Sequence, residues 1–276
     1  MKINFTKMHG LGNDFIVIDA INQAISLNEE QIRFMANRHF GIGCDQLLLV
    51  ENAQSNSADF RYRIFNADGS EVSQCGNGAR CFARFVREKG LSEKKEIPVE
   101  TGAGLLVLHH EENGDLTVNM GIPHHSPSEI PINFEQEQLL YEVEIDDNPQ
   151  QFGAVSLGNP HAVLQVEDID DAPVAQVGKQ LESHPLFPER ANIGFMQVIS
   201  AHHLRLRVYE RGAAETMACG SGACGAVVIG IERGLLTSPV KVELPGGQLM
   251  ISWQGRSQPV FMSGPATIVF DGTIEI

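Results

Sequence analysis

The sequence predicts a two-lobed α+β fold, and three observations carry that reading. The first is an internal repeat: Glu71-Val-Ser-Gln-Cys75-Gly-Asn-Gly-Ala79 recurs as Glu215-Thr-Met-Ala-Cys219-Gly-Ser-Gly-Ala223. The second is a pair of alternating strands at matching places. Phe60, Tyr62 and Ile64 alternate with Arg61 and Arg63, and Leu204, Leu206 and Val208 alternate with Arg205 and Arg207, the pattern of a half-buried strand. The third is the segment after Cys219, where Ala226–Ile231 is apolar on every side. A helix without a polar face is a buried helix, here one inside a wrapped sheet.

The repeat extends well beyond its cysteines. Residues 61–91 align with 205–235 without a gap, with identities at Arg61/Arg205, Arg63/Arg207, Glu71/Glu215, Cys75/Cys219, Gly76/Gly220, Gly78/Gly222, Ala79/Ala223, Glu88/Glu232, Gly90/Gly234 and Leu91/Leu235. Farther out, Leu11-Gly-Asn13 echoes Leu157-Gly-Asn159, and Ile42-Gly43 with Gln46 echoes Ile193-Gly194 with Gln197. A duplicated domain with a cleft between pseudo-symmetric halves follows, and such a cleft is the usual place for a small-molecule site.

In chain order, residues 3–8 and 14–20 read as strands around the turn-like His9-Gly-Leu-Gly-Asn13. Ser26-Leu-Asn-Glu29 fits a capping box, and Ile32, Met35, Ala36 and His39 mark one face of the helix behind it. Gly41-Ile-Gly43 breaks the chain before an apolar strand at Leu47–Val50. After Cys75, the residues Ala79, Phe82, Ala83 and Val86 line a helix that stops at Gly90. Strands follow up to Met120, and Ile122–Asn133, with Pro123, Pro127 and Pro131, reads as a crossing between halves. In the second half Asp171 caps a helix carrying Val174, Val177 and Leu181, and the helix after Cys219 runs to Gly234.

Composition narrows the function. A hydrophobic share of 42% and a charged share of 20% over 276 residues are those of a globular protein with a core. A net charge of −15 with no basic stripe argues against nucleic acid or an anionic membrane as partner. Met1–Gly10 lacks the apolar run of a signal peptide, and no segment is apolar over the length of a membrane span. Cys44, Cys75, Cys81, Cys219 and Cys224 form an odd, sparse set. Reduced thiols and a cytoplasmic location are the expectation.

Two cysteines at two helix starts suit proton transfer. A free thiol ionises near pH ~8.5, and a helix N-terminus or a nearby cation lowers that value. One thiolate can then take a proton while a protonated partner returns one. Gly76-Asn-Gly78 and Gly220-Ser-Gly222 leave backbone N–H groups free to hold a carboxylate, and the same groups stabilise charge that develops on the adjacent carbon. Removal from one face and return on the other inverts a stereocentre. A cysteine beside a helix is more often buried filler; the matched frame is what singles out Cys75 and Cys219. Cys44, Cys81 and Cys224 lack partners in the repeat and read as core. A zinc site from Cys75, Cys81, Cys219 and Cys224 would need closer spacing than the sequence has, since zinc cysteines are usually about two to four residues apart. The histidine pairs 109–110, 124–125 and 202–203 sit in polar surroundings and read as solvated.

The repeat is broken at informative places. Asn66 ends one strand where Glu210-Arg211 end its copy, and Asn13-Asp14-Phe15 corresponds to Asn159-Pro160-His161. A glutamate and a histidine on one side only would bias which cysteine is charged, and Glu210 with Arg211 would pair with a zwitterionic group.

At these residues the sequence resembles the diaminopimelate epimerases, a pyridoxal-phosphate-independent family. The resemblance rests on Met8-His-Gly-Leu-Gly-Asn-Asp-Phe15, Phe65-Asn-Ala-Asp-Gly-Ser70, Cys75-Gly-Asn-Gly-Ala-Arg80, Gly158-Asn-Pro-His161, Arg190-Ala-Asn-Ile-Gly194, Tyr209-Glu-Arg-Gly212 and Ala218-Cys-Gly-Ser-Gly-Ala223, spread over essentially the whole chain. It implies interconversion of LL- and meso-2,6-diaminopimelate in lysine and peptidoglycan-precursor synthesis, without cofactor or metal. It implies Cys75 and Cys219 as acid and base, His161 and Glu210 as groups that tune them, and substrate contacts at Asn13, Gln46, Asn66, Gly76, Asn77, Asn159, Asn192, Glu210, Arg211, Gly220 and Ser221. It also implies two lobes, each a mostly antiparallel barrel-like sheet around a central helix. One lobe would comprise residues 1–119 with 265–276 and the other residues 120–264, with the site between them. A homodimer is implied too, with Phe270 near the position of a contact tyrosine in some relatives.

Two other readings compete. One is a related cofactor-independent racemase or isomerase of the proline racemase kind. The other, from a different class, is a redox or zinc-binding protein that uses the same thiols without turnover.

Overall fold

A computed structural model describes residues 1–276. The chain runs β1 (Lys2–Gly10), β2 (Asn13–Asp19), α1 (Glu29–Ala36), β3 (Gln46–Asn52), β4 (Phe60–Asn66), β5 (Glu71–Val72), α2 (Gly76–Glu88), β6 (Glu96–Thr101), β7 (Gly104–His110) and β8 (Leu116–Asn119). It continues through β9 (Tyr141–Ile145), β10 (Asn148–Ser156), β11 (Pro160–Gln165), α3 (Val174–Glu182), β12 (Asn192–Ser200), β13 (His203–Glu210) and β14 (Ala214–Glu215). The last elements are α4 (Gly220–Glu232), β15 (Val240–Leu244), β16 (Gly247–Ser252), β17 (Phe261–Gly264) and β18 (Thr267–Glu275). The chain divides into two compact units, Met1–Asn119 with Ser263–Ile276, and Met120–Met262.

In the first unit β1 and β2 form a hairpin in which Gly10 pairs with Asn13, and β18 lies antiparallel on the other side of β1. Strand β2 is parallel to β3, β3 antiparallel to β4, β4 antiparallel to the short β5 and parallel to β6, and β6–β7–β8 continue antiparallel. This mostly antiparallel sheet surrounds α2, which packs against β1, β2, β3, β7, β8 and β18. Asn77 through Ala83, with Phe85 and Val86, are buried along it. Phe82 meets Tyr62 edge-on at 5.2 Å and Phe60 at 6.2 Å. Burying one such ring is worth about 1.5–3 kcal/mol, so the Phe60/Tyr62/Ile64 face of β4 holds the helix. On the outer face α1 covers a second cluster that includes Ile3, Ile16, Ile18, Leu47 and Leu49.

The second unit repeats that order. Strands β10 and β11 form a hairpin, β11 is parallel to β12, β12 antiparallel to β13, and β13 antiparallel to β14 and parallel to β15, which turns back into β16. Helix α4 packs against β10, β11, β12, β13 and β16 and is buried from Gly222 through Gly230, as its all-apolar sequence predicts. Its small residues allow close approach: a Cβ at Gly225 would lie 3.3 Å from the Cβ of His161. Helix α3 covers an outer cluster with Tyr141, Phe152, Leu164 and Phe195.

Several local expectations need correction. The capping box on α1 is built by Asn28 and Gln31. Asn28 Oδ1 accepts from Gln31 N–H at 2.9 Å and Gln31 Oε1 from Asn28 N–H at 3.0 Å, so Ser26 and Glu29 are displaced from those roles. His39 lies beyond the end of α1 and is exposed, because the turn at Asn37 stops the helix. Asp171 does not cap α3; Pro173 holds the N-cap position without a side-chain cap. His125 is not solvated: it is 11% exposed, 3.3 Å from Glu232, with its ring beside Trp253.

Candidate functional site

Each cysteine occupies the N-cap position of its unit's central helix: Cys75 on α2 and Cys219 on α4, both in extended conformation. The same ionic fork sets each approach. Arg63 on β4 holds the Glu71 carboxylate through Nε and Nη2, both at 2.8 Å. Arg207 on β13 holds Glu215 likewise at 2.6 and 2.9 Å. Bidentate arginine–carboxylate pairs fix direction as well as distance. They tie β5 and β14, the segments leading to the two cysteines, to their neighbouring strands.

In the first unit the predicted residues gather at one end of three adjacent strands. Asn13 begins β2, Gln46 begins β3 and Asn66 ends β4, and Gln46 and Asn66 are register partners bonded Nε2 to Oδ1 at 3.0 Å. Cys75, half-buried, has its sulfur 3.9 Å from Asn13 Oδ1, which also accepts from Asn77 Nδ2 at 3.3 Å. Tyr62 Oη donates to the Cys75 carbonyl at 3.2 Å from beneath the helix. A Cβ at Gly78 would stand 2.6 Å from that hydroxyl, so the second glycine of the motif is required by contact. Asn77 Oδ1 accepts from the fully buried Arg80, whose Nε donates to the Pro265 carbonyl.

The second unit has the same plan with different chemistry. Asn159 donates to Ser221 Oγ at 3.4 Å, and Ser221 Oγ lies 3.7 Å from the Cys219 sulfur. His161, paired across strands with Asn192, places Nε2 3.1 Å from Asn159 Oδ1. Burial, and then the positive charge of Arg211, push His161 down to about 3 from its ordinary 6.5, so it is neutral at physiological pH. Asn192 accepts from the Arg211 N–H at 2.9 Å and donates to the Pro160 carbonyl. The Arg211 guanidinium donates to the Glu189 carbonyl.

Cys219 is buried where Cys75 is half-buried. Burial, then the charge of Glu210 and a hydrogen bond to its carboxylate, hold the Cys219 thiol well above the ordinary thiol range, against smaller pulls from Gly222 N–H and Ser221. The glutamate is held in turn by the Thr216 hydroxyl, which donates to its Oε1. Among the buried thiols outside the repeat, burial pushes Cys44 up to about 12 and Cys81 higher still.

Three residues with contacts at these sites escape a reading of the sequence: Thr216 behind Glu210, Tyr62 beneath Cys75, and Asp45, which accepts from Asn13 Nδ2. Thr216 and Tyr62 fall where the repeat has Val72 and Leu206, so a search for polar residues present in one copy only would have found them. Asp45 falls where the echo has Met196, and the same search would have marked it.

The diaminopimelate epimerase family model matches residues 5–126 and 153–269. A diaminopimelate epimerase from Nitrosospira multiformis is 58% identical over 276 residues, covering 100% of this chain and 99% of that one. One from Nitrosomonas europaea is 59% identical with both chains covered in full. Among solved structures, a PhzF-family phenazine biosynthesis protein from Bacillus anthracis superposes with a TM-score of 0.70 at 20% identity, covering both chains completely. A hydroxyproline epimerase from Agrobacterium vitis superposes at 0.71 with 15% identity, covering 99% of this chain and 92% of that one. The two structures speak for the fold. The family match and the full-length identities speak for descent, and by them this chain belongs to the diaminopimelate epimerase family.

Proposed function

We propose that the protein interconverts LL- and meso-2,6-diaminopimelate, a step of lysine and peptidoglycan-precursor synthesis, by two-base proton transfer through Cys75 and Cys219. The observation that carries the mechanism is the duplicated helix start: each unit caps a central helix with one cysteine and sets an asparagine of its own hairpin beside it. Cys75 and Cys219 act on one α-carbon from opposite faces. A thiolate on one side takes the α-hydrogen, and the thiol on the other side delivers its proton to the developing carbanion. The stereocentre inverts, and the enzyme is left with thiol and thiolate exchanged.

The N–H groups at Gly76, Asn77, Gly220 and Ser221 hold the substrate carboxylate and take up the charge that grows on it. Asn13, Gln46 and Asn66 on one side, and Asn159, Asn192, Glu210 and Arg211 on the other, bind the polar groups of the second, unreactive end. In the resting protein Cys219 is held as a thiol by burial and Glu210, while neutral His161 orients Asn159. When Cys219 serves as base, the Glu210 carboxylate is the nearest group able to accept its proton. The same reading includes a homodimer formed through β18, where Val269 and Phe270 stand exposed beside the β1 pairing. A monomer in light scattering at working concentration would remove that part.

The test is incubation of LL-diaminopimelate with enzyme in heavy water. Epimerisation with deuterium at one α-carbon is expected, and alanine at either cysteine abolishes inversion. An alanine variant that still inverts overturns the two-base mechanism. Mild oxidation is expected to join Cys75 to Cys219 and inactivate reversibly; a bridge mapped to other cysteines would show that the two thiols do not share a site.

A further inference from the structure

Asn13 lies on an unbroken line of hydrogen bonds through the first unit. Arg80 Nη2 donates to Asn77 Oδ1 at 2.9 Å, Asn77 Nδ2 donates to Asn13 Oδ1 at 3.3 Å, and Asn13 Nδ2 donates to Asp45 Oδ2 at 2.9 Å. The two ends of the line are chemically one-directional. A guanidinium only donates and an ionised carboxylate only accepts. Between them, two amides that could each turn either way are compelled to point head to tail. The oxygen of Asn13, not its NH₂, therefore faces the Cys75 sulfur at 3.9 Å.

The Asp45 carboxylate is itself built into place. Arg38 Nη2 donates to its other oxygen at 2.7 Å, and the Asp14 N–H donates to Oδ2 at 3.1 Å. The Asp45 N–H returns a bond to Asp14 Oδ1 at 2.8 Å. Burial raises the Asp14 carboxyl, but hydrogen bonds from Arg38 and Lys7 outweigh it and hold it well below the usual carboxylate range. The charged or titratable groups around the Asn13–Cys75 pair and its bonded neighbours include Lys7, Asp14, Arg38, Asp45, Arg80, Tyr62 and Cys81. Of these, only Asp45 bonds the Asn13 amide directly.

The second unit lacks this device. Asn159, the counterpart of Asn13, is bounded by neutral His161 and by Ser221, and either group can donate or accept. In the aligned repeat Cys224 stands where the first unit has Arg80, so the donor-only end of the line has no counterpart there.

We infer that Asp45 is a positioning residue: from the opposite end to Arg80 and Asn77, it dictates which end of the Asn13 amide faces Cys75, and so keeps Cys75 protonated while the site is empty. An oxygen beside the sulfur can accept from S–H but cannot stabilise S⁻. The inference rests on the reading of Cys75 as an acid/base residue only for its importance to turnover, since the amide's orientation is a property of the resting protein.

The experiment reads Cys75 without turnover. Alkylation by iodoacetamide, followed peptide by peptide with mass spectrometry, is measured from pH 6 to 10 in the parent, Asp45→Asn and Asp45→Glu. All three proteins carry Asn77→Ala, because the Asn77 Nδ2 that Arg80 aims at Asn13 Oδ1 would otherwise hold the amide unaided; in that background an amide at position 45 can donate or accept, so Asn13 is released to turn its NH₂ toward the sulfur. Asp45→Asn is expected to alkylate at Cys75 roughly fivefold faster at pH 7, the worth of about one ordinary hydrogen bond, with the pH midpoint moved down. Asp45→Glu keeps an acceptor-only group and is expected to return toward the parent. Removing a carboxylate also lowers a neighbouring thiol by charge alone, so the series is repeated at 1 M salt, where screening acts within about 3 Å. A shift that survives salt and is reversed by glutamate supports the inference. No shift, a shift that vanishes in salt, or equal shifts in both variants overturns it. Loss of the two-base reading would show instead as inversion by an alanine variant at Cys75, which leaves these alkylation profiles interpretable.

Discussion

Replacing His161 by glutamine removes a histidine that the fold refuses to protonate, and the consequence can be worked out. The unfolded chain takes up a proton on His161 below pH ~6.5, whereas in the fold burial and Arg211 keep the ring neutral down to about 3. The unfolded state therefore binds more protons throughout that interval, and stability falls as the pH falls. Each pH unit well inside the window costs about 1.4 kcal/mol, so moving from pH 7 to pH 5 removes about 2 kcal/mol through this residue alone. Glutamine can still offer a polar terminus toward Asn159 but cannot titrate. The assay is urea unfolding followed by the fluorescence of Trp253, the single tryptophan, buried in the same unit as His161. Parent and His161→Gln are compared at half-unit intervals of pH, so that contributions from other groups cancel. The parent is expected to lose about 2 kcal/mol more than the variant between pH 7 and pH 5. Parallel curves would refute the reasoning, because they would mean that His161 titrates alike in both states.

Two further perturbations follow from contacts of a single atom. Gly78→Ala drives a Cβ to within 2.6 Å of the Tyr62 hydroxyl and is expected to cost about 1–3 kcal/mol of stability; adding Tyr62→Phe, which removes the hydroxyl, should recover part of that in thermal melts, and strict additivity would refute the contact. Thr216→Val keeps the shape of the side chain but removes the donor to Glu210; kcat/KM is expected to fall about tenfold, the worth of one hydrogen bond to a charged group, with recovery in Thr216→Ser and an altered pH profile. An unchanged profile would show that Glu210 is held without it.

The parts of the fold legible in the sequence are those where one residue type has one physical outlet. The all-apolar run Ala226–Ile231 has nowhere to go but inside a sheet, and Phe60, Tyr62 and Ile64 alternate because β4 has one buried face. The cysteines stood out because the repeat displays them twice. Boundaries were less legible because several residues near them can play the same part. Ser26 and Asn28 are both good N-caps with a Glu or Gln three residues on, and the helix starts from Asn28. Asp171 was available for α3, but the helix starts at Val174 with Pro173 as its cap. In the half-sites, the asparagines and Glu210 lie at strand ends that the alternating pattern already marks. One-copy polarity can mark Thr216 and Asp45 as residues, but their contacts, and the His125–Glu232 contact, were illegible for another reason. Their partners are tens of residues away or on the far side of a turn, and nothing in spacing or polarity announces which oxygen meets which nitrogen.

The pairing of β1 with β18 has a consequence for how the protein comes off the ribosome. Residues 120–262 are contiguous, so the second unit holds all its strands before the first does. The first unit emerges early yet cannot close, because β1 pairs from Lys2 to His9 with residues 267–275, and Arg80 waits for the Pro265 carbonyl. At about 5–20 residues per second, the nascent chain carries an open strand edge for roughly ten to fifty seconds. Ile3 and Phe5, buried in the finished fold, are on that strand. The unit translated first is thus the one finished last, and more than half of the time its edge stays open is the time taken to make the unit inserted into it.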